Sequence, residues 1–185
     1  MKLRGITPRE AFLLAILVVC IGYYQSSLYL AQQSKDRDAI RISDVRQVRA
    51  VLEQYYLTYH HYPNCVYHQS GCTSLEGTAL LPEAPRDPLT NLPYTYSASA
   101  SGSGSTCTTY HIGASLERTA SQALLTGSDA PPKAQKGLCK GSAPDFSGLS
   151  YAKGGYPCNA EVGTAEPTDA ANGETCYDLV SRTHY

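Results

Sequence analysis

The stretch AFLLAILVVCIGYYQSSLYLA at residues 11–31, followed after two glutamines by SKDRDAIRISDVRQVRAVLEQYYLTYHHYP at residues 34–63, decides the fold. The first part carries no charged side chain. At a rise of 1.5 Å per residue it spans about 30 Å, the thickness of a bilayer's hydrocarbon core. The second part repeats a stripe every three or four positions, at Ile42, Val45, Val48 or Arg49, Leu52, Tyr55 or Tyr56, and Tyr59. That spacing predicts a helix with one apolar stripe, stopped at Pro63. Asp38, Arg41, Asp44, Arg46, Arg49 and Glu53 are expected on its solvated faces. Together the two parts predict a single helix about 80 Å long, far longer than the diameter of a domain this size.

Residues outside that helix set the orientation. Lys2, Arg4 and Arg9 precede the apolar run, so the N-terminus is expected in the cytoplasm and residues 34–185 outside, as a single membrane span. The chain has 185 residues, so roughly 150 remain beyond the span, enough for one small domain. The expected division is a leader at 1–5, a transmembrane helix half at 6–33, and an outer head at 34–185 that includes the helix half 34–62. A net charge of −1 gives no reason to expect nucleic acid as a partner.

Of seven cysteines, Cys20 lies in the apolar run, and Cys65, Cys72, Cys107, Cys139, Cys158 and Cys176 lie beyond it. An even set past a membrane span reads as disulfides formed in an oxidising compartment. Six cysteines allow fifteen pairings. Joining neighbours first and then the two strands gives Cys65 with Cys72, Cys139 with Cys158, and Cys107 with Cys176. The strands expected are 94–98 and 107–112, joined by the Ser/Gly-rich stretch 97–106 as a loose hairpin tip, with a last strand in 174–180. The fold class is α+β: a long helix packed on a small antiparallel sheet, with a disulfide-tied, loop-rich C-terminal region.

Gly5 closes the basic leader, and Glu10 stands at the lip of the apolar run, where an unpaired carboxylate is costly in lipid. Cutting after Gly5 would make Ile6 the first residue and Glu10 the fifth, and a neighbour's free amine would neutralise that carboxylate. Pairing with Arg9 or water is the simpler alternative. With the string DPLTNLPYTY at 87–96, these features resemble the type IV pilin and type II secretion pseudopilin superfamily. In the string, Asp87 holds a turn, Asn91 tolerates positive φ and Pro93 opens an edge strand. Pro8 and Arg9 depart from the usual apolar pair, and Ile6 replaces the common Phe.

The resemblance implies a structural, non-enzymatic filament subunit, cleaved after Gly5 and N-methylated at Ile6, with Glu10 setting subunit register. Stored first in the inner membrane, it would have as partners other copies in an extracellular filament, a prepilin peptidase, and an assembly platform with its cytoplasmic ATPase. The alternative is an uncleaved single-span protein whose disulfide-stabilised outer domain binds a partner. A membrane-tethered exported enzyme is a third class, but no Ser/His/Asp constellation, phosphate loop or metal-ligand spacing is visible. No cofactor is expected. His60, His61 and His68 near Cys65 and Cys72 do not make a zinc pattern, and Asp129, Asp145 and Asp169 do not make a calcium loop.

Overall fold

The structure, a computed structural model, describes residues 7–100, 106–118, 139, 158 and 176–181. Two compact units result, Met1–Asp36 and Arg37–Tyr185. Helix α1, Pro8–Tyr59, supplies the described residues of the first and the opening element of the second. Three strands complete the second: β1 (Thr95–Ala100), β2 (Cys107–Ser115) and β3 (Cys176–Val180). They form one antiparallel sheet in the order β1-β2-β3. The α+β class and the long N-terminal helix stand as expected.

The helix leaves its course four residues before Pro63. His60 takes a left-handed φ of 57°, its amide still bonded to Tyr56 O at 2.8 Å, and His61 Nδ1 lies 2.8 Å from Tyr59 O. These contacts satisfy terminal carbonyls in the way a left-handed C-cap does. The early exit also turns Tyr62 inward, where it is fully buried and its amide bonds Cys107 O at 2.9 Å.

The core forms where α1 meets the sheet. Val45, Val48 and Leu52, at helical spacing, pack with Tyr62, Val66, Leu75, Tyr96, Ile112, Tyr177 and Leu179. Ile42, Tyr55 and Tyr56 pack at its margin, whereas Tyr59 is exposed. The buried stripe continues towards the N-terminus through Arg41 and Asp38, two residues expected in solvent, and the next subsection gives the reason.

β1 begins at Thr95, while Pro93 makes only an isolated bridge to Arg86. It then runs on to Ala100, so Ser97, Ala98 and Ala100 are buried strand and not part of a loose tip. Their small side chains suit the register, which sets Ala98 opposite Tyr110 and Ser97 opposite His111: a ring fills the space a small residue leaves. The register shifts between Ser99 and Ala100. β2 continues to Ser115, three residues past the expected end, because β3 pairs with its last five residues, from His111↔Val180 to Ser115↔Cys176.

The Cys65–Cys72 disulfide is as expected; the other two pairings are not. Cys107 bonds Cys139, and Cys158 bonds Cys176. The antiparallel register explains the correction. Cys176 lies opposite Ser115, at the far end of β2 from Cys107, and eight residues of strand separate those ends by about 26 Å. Bridged cysteines need Cα atoms within about 7 Å. Cys139 instead lies against β1, its amide bonded to Ala98 O, and Cys158 binds Ser115 Oγ through its amide at 2.8 Å.

Candidate functional site

In the first unit α1 is long and apolar enough to cross a membrane. Phe12, Leu13, Leu17, Val19, Tyr23 and Leu30 are all exposed, Tyr23 to 79%. Apolar side chains on every face of one helix are a surface suited to lipid or to other helices, not to water. Ser26 and Ser27 return their hydroxyls to the carbonyls of Gly22 and Tyr24, both at 2.8 Å, which keeps polar hydrogens internally satisfied as an apolar surrounding demands. Cys20 is a free, exposed thiol in this segment.

The start of the helix is closed by Thr7 and Glu10. The Thr7 amide and hydroxyl donate to Glu10 Oε2 at 2.7 and 2.9 Å, and the Glu10 amide donates to Thr7 Oγ1 at 3.4 Å. This reciprocal pairing is a capping box, with Pro8 in the first helical position where its missing N–H is harmless. The sequence signal is the spacing T-x-x-E itself, and it gives Glu10 a partner in Thr7 rather than the Arg9, water or neighbouring amine expected.

The second unit holds a charged cluster around Arg41, which is only 3% exposed. Its guanidinium donates to Asp87 Oδ2 at 2.5 Å and Oδ1 at 3.3 Å, to Glu117 Oε1 at 2.7 Å, and to Asp38 Oδ1 at 2.9 Å. Asp38 in turn accepts the amides of Glu117 and Arg118, at 2.8 and 3.1 Å, and Arg37 pairs with Glu117 in a two-pronged contact at 2.7 and 2.6 Å. Burying these charges is tolerable because each has fixed partners. Burial opposes ionisation of Arg41, but bonds to Asp87, Glu117 and Asp38 outweigh it and raise its pKa further. The Arg37 and Arg41 hydrogen bonds bring Glu117 down to about 2.

Asp87 joins that cluster to the turn beyond it. Its Oδ1 accepts the amides of Leu89 and Thr90 at 2.9 and 2.8 Å. Burial works against the carboxylate, yet Arg41 and those amides hold its pKa well below the usual range. Asn91 takes a left-handed φ of 56°, and the Asp87 amide bonds Leu92 O at 3.0 Å. Asp87 and Asn91 therefore occupy the positions assigned to them from sequence, and the turn delivers Tyr94, whose hydroxyl donates to Asp44 at 2.7 Å. Burial raises the Asp44 pKa, Tyr94 lowers it, and the Asp87 charge raises it again, for a net increase. A cleft of about 420 Å³ beside the cluster is lined by Arg41, Asp87 and Glu117 among others; their charges are already matched within the chain.

Tyrosines carry much of the rest. Tyr62 stacks edge-on against Tyr110 at 4.7 Å, and both hydroxyls donate to Glu53, at 3.3 and 2.8 Å. Glu53 thus anchors helix to sheet, a third charged residue, after Arg41 and Asp38, whose expected solvated role is corrected. On the opposite sheet face His111 Nε2 lies 2.7 Å from Asp178 Oδ2, with Ser97 facing His111 across the β1–β2 pair. Residues 67 apart in sequence gave no sign of that meeting. Ser97 is 1% exposed, so the trio presents no reachable nucleophile.

Among the described residues no three His, Cys, Asp or Glu side chains converge on a metal-sized site. Cys65 and Cys72 are consumed in a disulfide, and His60 and His68 are exposed. Gly5 and Ile6, the expected cleavage and methylation positions, lie outside the described residues, as do Asp129, Asp145 and Asp169. No protein-family model, no curated protein and no solved structure matches the chain.

Proposed function

We propose that the chain is a structural subunit of a type IV pilus or of a type II secretion-like pseudopilus, held in the inner membrane before assembly into a helical filament. One observation carries the reading. A single unbroken helix, Pro8–Tyr59, is apolar and exposed over a membrane-spanning length at one end and supplies the core stripe of a folded head at the other. An apolar surface with no partner among the described residues needs lipid in the stored state and the helices of other copies in the filament. Removal of residues 1–5 by a prepilin peptidase frees the Ile6 amine, which is then methylated and pairs with Glu10 of a neighbour. An assembly platform with its ATPase extracts the subunit. The DPLTNLPYTY string supports the same reading, because the residues that carry the resemblance also hold the head together. Asp87 and Asn91 form the turn, and Tyr94 and Tyr96 tie it to Asp44 and Pro63.

The competing reading, an uncleaved single-span protein with an outer binding domain, is favoured by the Thr7–Glu10 capping box, which satisfies Glu10 without a neighbour. Electron microscopy of cells carrying the wild-type chain or Glu10→Ala separates the two. Filaments present with the first and lost with the second support the subunit, while their absence in both supports the anchor.

A further inference from the structure

The face of the sheet turned away from α1 holds a pair of titratable side chains that the filament reading does not use. The strand register places Ser97, His111 and Asp178 on that face. Asp178 is fully buried and His111 is 5% exposed. His111 Nε2 lies 2.7 Å from Asp178 Oδ2, while Asp178 Oδ1, also buried, meets no hydrogen-bond donor. The other positions on this face of the three strands are serine, threonine, glycine, valine and the disulfide-bonded Cys176. Arg46 and Glu53 bond tyrosines on the opposite face. Among the described residues, His111 is therefore the one group placed to balance a charge on Asp178.

We infer that His111 and Asp178 form a one-proton latch on β3, shut while the pair holds its proton and released when the proton leaves. The proton belongs on His111, the stronger base of the two. A buried carboxylate with one oxygen unbonded is tolerable as half of an ion pair, whereas alone it is a charge without solvation. Folding therefore favours the protonated pair. Its stabilisation is present below about pH 6.5, the ordinary imidazole value, and is lost as pH rises past the point where the folded pair gives up its proton. The element that answers is β3, an edge strand of five residues that can leave β2 without breaking the β1–β2 ladder. Lifting β3 brings the Asp178 charge to water, while the Cys158–Cys176 disulfide keeps the start of the strand tied. Tyr177 and Leu179 belong to the core, so opening stays a minority event whose frequency follows pH. The latch lies within the head and does not depend on the filament reading.

Hydrogen exchange of the full chain in detergent, followed by NMR between about pH 6 and about pH 9 and corrected for the intrinsic rate at each pH, tests the latch. Protection of the β3 amides should fall by roughly tenfold per pH unit wherever the shut pair holds a proton that the open one has lost. The amides of Val48 and Leu52 in α1 should keep theirs. Asp178→Asn preserves the shape and removes the charge, and should make β3 protection independent of pH. In the wild type the His111 ring should keep its proton above about pH 6.5, a readout that needs no variant and decides the question if Asp178→Asn does not fold. Wild-type β3 protection that ignores pH overturns the latch, as does a slope that persists in Asp178→Asn. An equal loss at Val48 and Leu52 overturns it too, since the whole head would then be opening. So does a His111 ring that gives up its proton at or below about pH 6.5.

Discussion

Arg41 grips Asp87 with two donors across 46 positions of sequence, Nε to Oδ2 at 2.5 Å and Nη2 to Oδ1 at 3.3 Å. The contact joins the core stripe of α1 to the turn that launches β1, and Glu117 brings the end of β2 to the same guanidinium. Helix, turn and sheet thus share one buried cation.

Removing that cation should be more harmful than removing any single acid around it. Arg41→Leu leaves Asp38, Asp87 and Glu117 facing one another without the cation they share, and breaking a buried pair this way costs about 3–5 kcal/mol. Thermal or denaturant unfolding of the detergent-solubilised chain should show a loss of that order, against roughly 1–2 kcal/mol for Glu117→Gln, which keeps an acceptor. Equal losses from the two changes would mean that the cluster is not centred on Arg41.

The same acids give the head an acid-sensitive stability. Glu117, depressed from 4.5 to about 2, and Asp87, also depressed, bind fewer protons folded than unfolded. Their contribution is present above about pH 4.5 and is lost as pH falls towards 2. Asp44 is raised, so its effect has the opposite sign and weakens the head as pH climbs through its elevated value. Glu76, which accepts the His68 amide, is depressed as well, and three depressed acids against one raised acid give a melting temperature that falls between about pH 5 and about pH 2. Arg41→Leu should flatten that slope, and a variant retaining it would disconnect the pH effect from the cluster.

The disulfides can be weighed separately. Cys107–Cys139 closes 32 positions of sequence and Cys158–Cys176 closes 18, so each should contribute about 3–4 kcal/mol by restricting the unfolded chain. Peptide mapping without reduction should recover Cys65–Cys72, Cys107–Cys139 and Cys158–Cys176. Recovery of Cys107 with Cys176 would contradict the β2–β3 register.

How far the sequence disclosed this arrangement depended on the distance over which each cause acts. The apolar run, the stripe of Val45, Val48 and Leu52 and the Asp87–Asn91 turn arise from neighbouring residues, and they were readable. The disulfide partners were not, because choosing between Cys107 and Cys158 as mate for Cys176 needs the register of two strands far apart in sequence. Arg41 and Asp38 looked like solvated charges because their partners, Asp87 and Glu117, lie elsewhere in the chain. Ser97 and Ala98 looked like loop because their smallness acquires meaning only opposite His111 and Tyr110. The Thr7–Glu10 box is local, and its T-x-x-E spacing stands in the sequence itself.

The turn itself offers a backbone test. Asn91 sits at φ 56°, a region that asparagine and glycine enter readily and a β-branched residue does not. Asn91→Gly should be nearly neutral, and Asn91→Val should cost about 1–2 kcal/mol and loosen the Asp87 contact. Equal stability of the two variants would show that the turn has relaxed to another form.

Processing at the helix start is tested most directly by the intact mass of the protein purified from membranes without reduction. The predicted result is a chain lacking residues 1–5, beginning at Ile6 with one added methyl group and closed by three disulfides. A full-length chain beginning at Met1, unmodified and monomeric in detergent, would contradict it and make the apolar helix a permanent anchor.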